Sequence, residues 1–245
     1  MSQNNEKLVG ILGGMGPEAT IDLMQRIIRL TPALDDIDHI RCVVDNNPKV
    51  PSRIKAIIDG EGEDPGPCMA DMGKRLERFG ADFLVIACNT AHFYYDAVQE
   101  AVNIPVINLI DIVSHHVKIN FPEQDRIGIL ASPAVAMTEL YAKRFKKLGI
   151  KDIWPDPDYQ DSLFTVIKEV KKGNTSSTVR DTYGKVYAHL AKKGIKTAII
   201  ACTELSALDS SLPINTIDAA QVLAVEIVQI AKNLKELTSF AGPDA

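Results

Sequence analysis

The chain has no apolar run near the roughly 18 residues that a membrane-spanning helix requires, and its polar start, MSQNNEK, lacks the apolar core of a signal peptide. Basic residues are not in excess: 27 Lys and Arg stand against 32 Asp and Glu, for a net charge of −5. Phosphate binding needs a clustered basic surface, so neither nucleic acid nor a membrane is an expected partner. The four cysteines show no tight framework spacing, which argues against a disulfide scaffold and for reduced thiols in a cytoplasmic protein. No CxxC or HxxxH pattern lies near Cys88 and His92, too few ligands for zinc, so no metal is expected. No lysine motif of the pyridoxal type is evident, so any chemistry is expected to run without a cofactor.

What is present is enough apolar sequence for a large core, with 46% hydrophobic residues in 245. Short β-branched runs alternate with longer amphipathic stretches, the pattern of an α/β fold with parallel sheets flanked by helices. LVGILGG (Leu8 to Gly14) predicts the first strand, and Pro17 opens a helix through Ile21, Met24, Ile27 and Ile28. HIRCVVDNN predicts the second strand, followed by a loop holding Pro48, Pro51 and Arg53. DGEGEDPGP (Asp59 to Pro67) predicts a mobile loop that includes the neighbourhood of Cys68. A helix ending near Phe79, a strand through Ile86 and Ala87, a helix after Asn89 and a fourth strand in NIPVINLID follow.

The pattern then repeats. RIGILAS echoes LVGILGG, a helix ending in Lys193-Gly194 precedes TAIIACTEL as one ending in Phe79-Gly80 precedes DFLVIACNT, and SLPINTIDA echoes NIPVINLID. Gly128 follows Gly10 by 118 residues, Cys202 follows Cys88 by 114, and Pro213 follows Pro105 by 108. Such a drift is what small insertions and deletions leave in a duplicated unit. The expectation is two similar α/β lobes related by a pseudo-twofold duplication: residues 1–116 with a final helix within about 219–245, and residues 117–218. The final helix is placed from about Ala219 to Leu237, and SFAGPDA reads as a frayed tail.

The two halves share one chemical feature. VIACNT around Cys88 and IIACTE around Cys202 each end an apolar strand in a cysteine followed by two polar residues. In open α/β sheets ligands bind beyond the carboxyl ends of the strands. The helix start expected there offers unpaired N–H groups and a positive dipole end that favour a thiolate. With the Asn89 amide and the Thr90 and Thr203 hydroxyls, those N–H groups are expected to cradle a carboxylate. Two such thiols on opposite faces of a bound molecule suit removing a proton from one carbon and returning one from the far side. Cys42, in an apolar strand, and Cys68 read as structural.

GILGGMGPEAT, ACNTAH and ACTEL together resemble the aspartate/glutamate racemase family, and more closely its aspartate racemase branch, in the expected order from Gly10 to Leu205. The resemblance implies a cofactor-independent, two-base exchange of the α-proton of a small acidic amino acid, and a homodimer. It makes Cys88 and Cys202 the acid/base pair, and Asn89, Thr90 and Thr203 the contacts of the substrate's carboxylate and amino group. It places Arg53 on a substrate carboxylate and Lys172 on the other, with Lys171 a rival for that place, and Met15 in the pocket wall. The chemistry agrees: an arginine fork suits a bidentate carboxylate and a lysine supplies a point charge. Two departures stand out. Ser52 occupies a position where the arginine loop often has Asp, and TIDAAQ lacks the Thr and His frequent near the last strand.

His92, four residues after Cys88, either orients the thiol or caps and packs. Glu204 either holds the second thiol or meets the substrate ammonium. His115 and His116 read as surface residues. Three other readings remain: a related diacid isomerase or decarboxylase, a binding protein for acidic amino acids without catalysis, and a nicotinamide oxidoreductase. The last rests on Gly14-Met15-Gly16-Pro17-Glu18-Ala19, which fits G-x-G-x-x-A between strand and helix, with Asp45 near the end of the second strand.

Overall fold

A computed structural model describes residues 6–206, 208 and 214–237. The strand-and-helix alternation of the sequence folds into two parallel sheets of four strands each, flanked by helices. The first comprises β1 (Val9–Gly13), β2 (Cys42–Asn46), β3 (Phe83–Ile86) and β4 (Val106–Ile107) in the order β2-β1-β3-β4. Its helices are α1 (Pro17–Leu30), α2 (Pro65–Phe79) and α3 (Tyr95–Gln99), and α4 (Leu109–Asn120) leads onward. The second comprises β5 (Arg126–Leu130), β6 (Lys151–Ile153), β7 (Thr197–Ile200) and β8 (Asn215–Asp218) in the order β6-β5-β7-β8. Its helices are α5 (Pro133–Met137), α6 (Leu140–Leu148), α7 (Pro157–Lys171), α8 (Ser177–Lys192) and α9 (Thr203–Ser206). The final helix, α10 (Ala219–Ala231), belongs with the first sheet, since the compact units are Met1–Ile112 with Ala220–Ala245, and Val113–Ala219.

The two sheets have the same strand order, and the likeness extends to single contacts. β1, β3 and β7 are buried along their whole length, which is why they read as unbroken apolar runs. α2 ends at Gly80 (φ 105°) and α8 is followed by Gly194 (φ 77°), left-handed positions suited to glycine. Just beyond, the Ala81 N–H donates to the Leu76 carbonyl and the Ile195 N–H to the Leu190 carbonyl, both at 3.2 Å. Gly10 and Gly128 sit at the matching point of the central strands. A Cβ on Gly10 would lie 2.4 Å from Leu84 Cδ2 and 3.0 Å from Ala81 Cβ, and one on Gly128 3.0 Å from Ala198 Cβ and 3.1 Å from Ile195 Cγ2. Each glycine therefore lets the preceding helix turn and the neighbouring strand close onto the sheet.

Four boundaries differ from the sequence expectation, the first two through a single side-chain contact. The acidic, Gly- and Pro-rich stretch is not all loop: α2 starts at Pro65, so Cys68 is a helical residue. Proline fits the first helical turn because no N–H is needed there, and Asp64 caps the helix by accepting from the Gly66 N–H at 2.8 Å. The fourth strand shrinks to Val106–Ile107 because the Asn108 side chain accepts from the Ile110 and Asp111 N–H groups and starts α4 at once. The segment after Asn89 begins as a 3₁₀ turn, Thr90–Tyr94, before α3. α10 stops at Ala231 rather than Leu237. Pro213 and the SFAGPDA tail lie outside the described residues.

α1 buries Ala19, Thr20, Leu23 and Ile27, while Ile21, Met24 and Ile28 face outward. Among the described residues no helix is long and apolar enough to cross a membrane. The close approach at Gly10 is testable: Gly10→Ala is expected to lower stability by about 1–3 kcal/mol through overpacking. Gly128→Ala, with its looser contacts, should lower it less. An unchanged urea midpoint for Gly10→Ala would show that Leu84 and Ala81 can give way.

Candidate active site

In each unit the residue before the cysteine closes the sheet. The Ala87 N–H donates to the Leu12 carbonyl at 3.0 Å, and the Ala201 N–H to the Leu130 carbonyl at 2.9 Å. Ala87 and Ala201 are buried, whereas Cys88 and Cys202 are half-buried at the carboxyl edge. Neither cysteine is in a disulfide. The helical segment beyond each is short, a 3₁₀ turn after Cys88 and a four-residue helix after Cys202. Turns this brief carry little aligned dipole, so the expected helix-dipole effect is weaker than the sequence suggested. The polar groups beside the thiols are chiefly side chains.

Around Cys88 the fold is held by His92, which is buried. Its Nδ1 lies 2.8 Å from the Cys88 carbonyl oxygen, and its Nε2 accepts from the Leu109 N–H at 3.0 Å. A backbone N–H can only donate, so Nε2 carries no proton and Nδ1 donates to the carbonyl; the ring is the neutral Nδ1–H tautomer. Both nitrogens are thereby spent on the backbone, and His92 ties the cysteine turn to the start of α4 rather than acting as a base. Asn89 is buried and Thr90 half-buried. Met15 is buried in the apolar cluster against which Cys88 packs. Arg53, which opens a helical turn rather than lying in a loop, folds back on the residues before it, its Nη1 donating to the Pro51 carbonyl at 2.9 Å and the Val50 carbonyl at 3.2 Å. Tyr94 is close to Arg53 and Asp64; burial raises its hydroxyl pKa, Asp64 adds to the rise, and Arg53 opposes it.

The glycine-rich turn has an internal explanation. A Cβ on Gly13 would meet Thr20 at 2.5 Å, and one on Gly14, where φ is 88°, would lie 2.2 Å from the Asn47 backbone. The Gly14 N–H donates to Thr20 Oγ1 at 2.9 Å. These glycines let the loop after β2 and the first turn of α1 close on the sheet, so the resemblance to a dinucleotide fingerprint follows from self-contact.

The Cys202 side is more highly charged. Cys202 Sγ donates to Glu204 Oε2 at 2.9 Å, and Thr203 Oγ1 lies 3.5 Å from the same oxygen. The other carboxylate oxygen, Oε1, is 3.4 Å from Lys171 Nζ, at the end of α7. Lys172 lies elsewhere: it is exposed and donates to Glu169 Oε1 at 2.7 Å. Of the two lysines, Lys171, the last residue of α7, is thus the one beside Glu204, and Lys172 pairs with Glu169. Behind Cys202, in the core cluster it packs against, Tyr183 and Tyr187 are fully buried with hydroxyl oxygens 3.1 Å apart. Burial pushes the Tyr183 hydroxyl well up, and the neighbouring Tyr187, Cys202 and Asp218 push it further. The pair was not expected from the sequence, where its signal is the four-residue spacing of Tyr183 and Tyr187 on one helix face.

The other two cysteines behave differently. Burial pushes the Cys42 thiol up to about 11, and burial with nearby Asp45, Asp71 and Glu63 raises Cys68. Cys68 also accepts from Asn47 Nδ2 at 3.7 Å. His115 is exposed and His116 half-buried. Among the described residues no cluster of His, Cys, Asp and Glu is arranged to hold a metal ion.

Two measurements test this account. His92→Phe keeps a ring but strips the Leu109 N–H and the Cys88 carbonyl of their partner, and is expected to cost about 1–3 kcal/mol. Urea unfolding with no loss would remove the clamp. Cys42 keeps its proton in the fold up to about 11, whereas the unfolded chain loses it near the ordinary 9.0. Its contribution is therefore full below the ordinary value and lost as pH rises through the folded value. Cys42→Ala should flatten the fall in stability between those limits, and an unaltered slope would contradict the burial effect.

The Asp/Glu/Hydantoin racemase family model matches residues 12–227. The broad specificity amino-acid racemase RacX of Bacillus subtilis (strain 168) is 27% identical over 229 residues, covering 90% of this chain and 96% of that one. The structure of an aspartate racemase from Picrophilus torridus superposes with a TM-score of 0.82 at 30% identity, covering 92% of this chain and 94% of the other. A glutamate racemase from Persephonella marina is 28% identical over 166 residues, 65% of this chain and 61% of that one. The chain therefore belongs to the Asp/Glu/hydantoin racemase family and is an isomerase of that class.

Proposed function

We propose that the protein is a cofactor-independent racemase that interconverts L- and D-aspartate, with glutamate the next substrate to compare, by a two-base mechanism using Cys88 and Cys202. The observation that carries this reading is the pair of half-buried cysteines, each one residue past the last hydrogen bond of equivalent strands β3 and β7. One thiolate takes the α-proton: the C–H bond breaks and an S–H bond forms. The other thiol then gives its proton to the opposite face of the carbanion. Charge that builds up next to the substrate carboxylate needs fixed donors, and Asn89, Thr90 and Thr203 are the side chains adjoining the two thiols. Arg53 is the cation we assign to one carboxylate and Lys172 to the other, with Lys171 the alternative for that place. Similarity to an aspartate racemase supports the acidic substrate, and similarity to a broad-specificity racemase makes neutral amino acids the necessary controls. A cytoplasmic homodimer belongs to the same proposal, and a mass equal to one chain in sedimentation equilibrium would remove the dimer.

The test is proton NMR of the purified protein in D₂O, without added cofactor, with L-Asp, L-Glu and several neutral amino acids. Loss of the α-proton signal of aspartate, with D-aspartate appearing, is the expected result. No exchange in any amino acid would refute the proposal. Cys88→Ser and Cys202→Ser should each remove nearly all turnover, and near-normal turnover in either would end the two-base assignment. Arg53→Ala should raise KM for acidic substrates far more than for neutral ones; equal losses would show that Arg53 does not meet a carboxylate.

A further inference from the structure

The two thiols stand on the same frame but beside different neighbours. Glu204 is two residues after Cys202, and the matching residue after Cys88 is Thr90. At 2.9 Å, a sulfur and a carboxylate oxygen need a proton between them, because two anions at that distance would repel strongly. An ordinary carboxyl group is far more acidic than an ordinary thiol, so that proton sits on sulfur. The remaining groups around Cys202 agree. Tyr183 is a neutral phenol bonded to Tyr187, and Asp218, at the end of β8, adds a second negative charge near the same tyrosine. Lys171 Nζ, 3.4 Å from Glu204 Oε1, is the opposing cation on α7. It offsets part of the carboxylate's charge and so weakens the hold on the proton. After Cys88 the next two side chains, Asn89 and Thr90, are uncharged, so no carboxylate stands at the place that Glu204 takes after Cys202.

We infer that Cys202 rests as a protonated thiol on Glu204, that Lys171 acts through Glu204 as a positioning residue limiting how firmly the proton is kept, and that the resting pair is polarised, with Cys202 giving a proton and Cys88 taking one. The last clause rests on the racemase reading; the first two do not. In turnover the α-proton passes to Cys88 and the Cys202 proton passes to the carbanion, leaving a Cys202 thiolate facing Glu204. That form is the less stable one, and Lys171 moderates the repulsion. It returns to rest by taking a proton from solvent as Cys88 releases one, or by turning over the opposite enantiomer.

The experiment tracks the pH dependence of iodoacetamide alkylation at each cysteine by peptide mass spectrometry, in the wild type, Glu204→Gln and Lys171→Met. The midpoint reports ionisation, while accessibility changes only the plateau. Cys202 should titrate above Cys88 in the wild type. Glu204→Gln should lower the Cys202 midpoint by about one pH unit, about tenfold in rate below the midpoint, and Lys171→Met should raise it by a similar amount. The Cys88 midpoint should move in neither variant. A Cys202 midpoint at or below that of Cys88 would overturn the polarity. A midpoint unmoved in Glu204→Gln would overturn the carboxylate's hold, and one unmoved in Lys171→Met, whose site is a partly exposed helix end, would overturn the role of that lysine. Alkylation needs no substrate, so a protein that fails to racemise any amino acid can still return the expected titrations, and the two readings fail separately.

Discussion

The hydrogen bond from Ala87 to Leu12, and its counterpart from Ala201 to Leu130, fixes where the chemistry can stand. Before this rung the chain is committed to a parallel ladder and buried on both faces; after it the backbone must leave the sheet. A residue one step later is therefore held at the carboxyl edge by a rigid strand rather than by a loop. The position of that rung depends in turn on Gly10 and Gly128, because only a bare Cα allows the helix turn and neighbouring strand to close to the distances seen. The turn after α2 or α8 then sets where β3 or β7 begins, through the matched bonds to Leu76 and Leu190. A cysteine's placement is thus traceable to a glycine more than seventy residues earlier in the chain.

Equal frames need not carry equal chemistry. Backbone contacts match from unit to unit, whereas the side chains that adjoin the thiols do not. On one side a neutral imidazole spends both nitrogens tying the backbone of the turn. On the other a carboxylate accepts from the sulfur, a lysine meets that carboxylate, and a phenol pair lies in the cluster against which the cysteine packs. The first arrangement fixes where the thiol is; the second, on the inference drawn above, also biases whether it keeps its proton. A duplicated fold separates these tasks because packing contacts constrain the frame, while residues beyond the last rung are relieved of them.

That separation also explains what could be read from the sequence. Strands buried on both faces leave unbroken apolar runs, and helices closed by Gly80 and Gly194 leave the same signal in both halves, so the two-sheet architecture and the cysteine positions were legible. Boundaries set by one side chain were not. Pro65 and Pro67 read as loop residues until Asp64 is seen capping a helix, and Asn108 ends a strand by a bond that composition does not announce. His92 was ambiguous because its spacing from Cys88 permits either role, and only the partners of both nitrogens decide. The choice between Lys171 and Lys172 turns on a single step of a helix, about 100° of rotation at 3.6 residues per turn. No periodicity resolves neighbours at the end of a helix.

Polarity between two thiols does not bias the direction of the proposed reaction, because L and D enantiomers have equal free energy in water and their equilibrium constant is unity. What the charges at Cys202 can set is the form in which the protein waits. A resting pair with one thiol and one thiolate meets one enantiomer ready and the other only after its protons have changed places. Two thiolates could take a proton but return none, and two thiols could give one but take none, so an active pair must be unequal at every instant. A charge fixed beside one sulfur makes that inequality a property of the fold, and an opposing lysine keeps it small enough to reverse. In the proposed mechanism the fixed charges therefore set which enantiomer finds the pair ready, and their smallness is what lets the other be turned over as well.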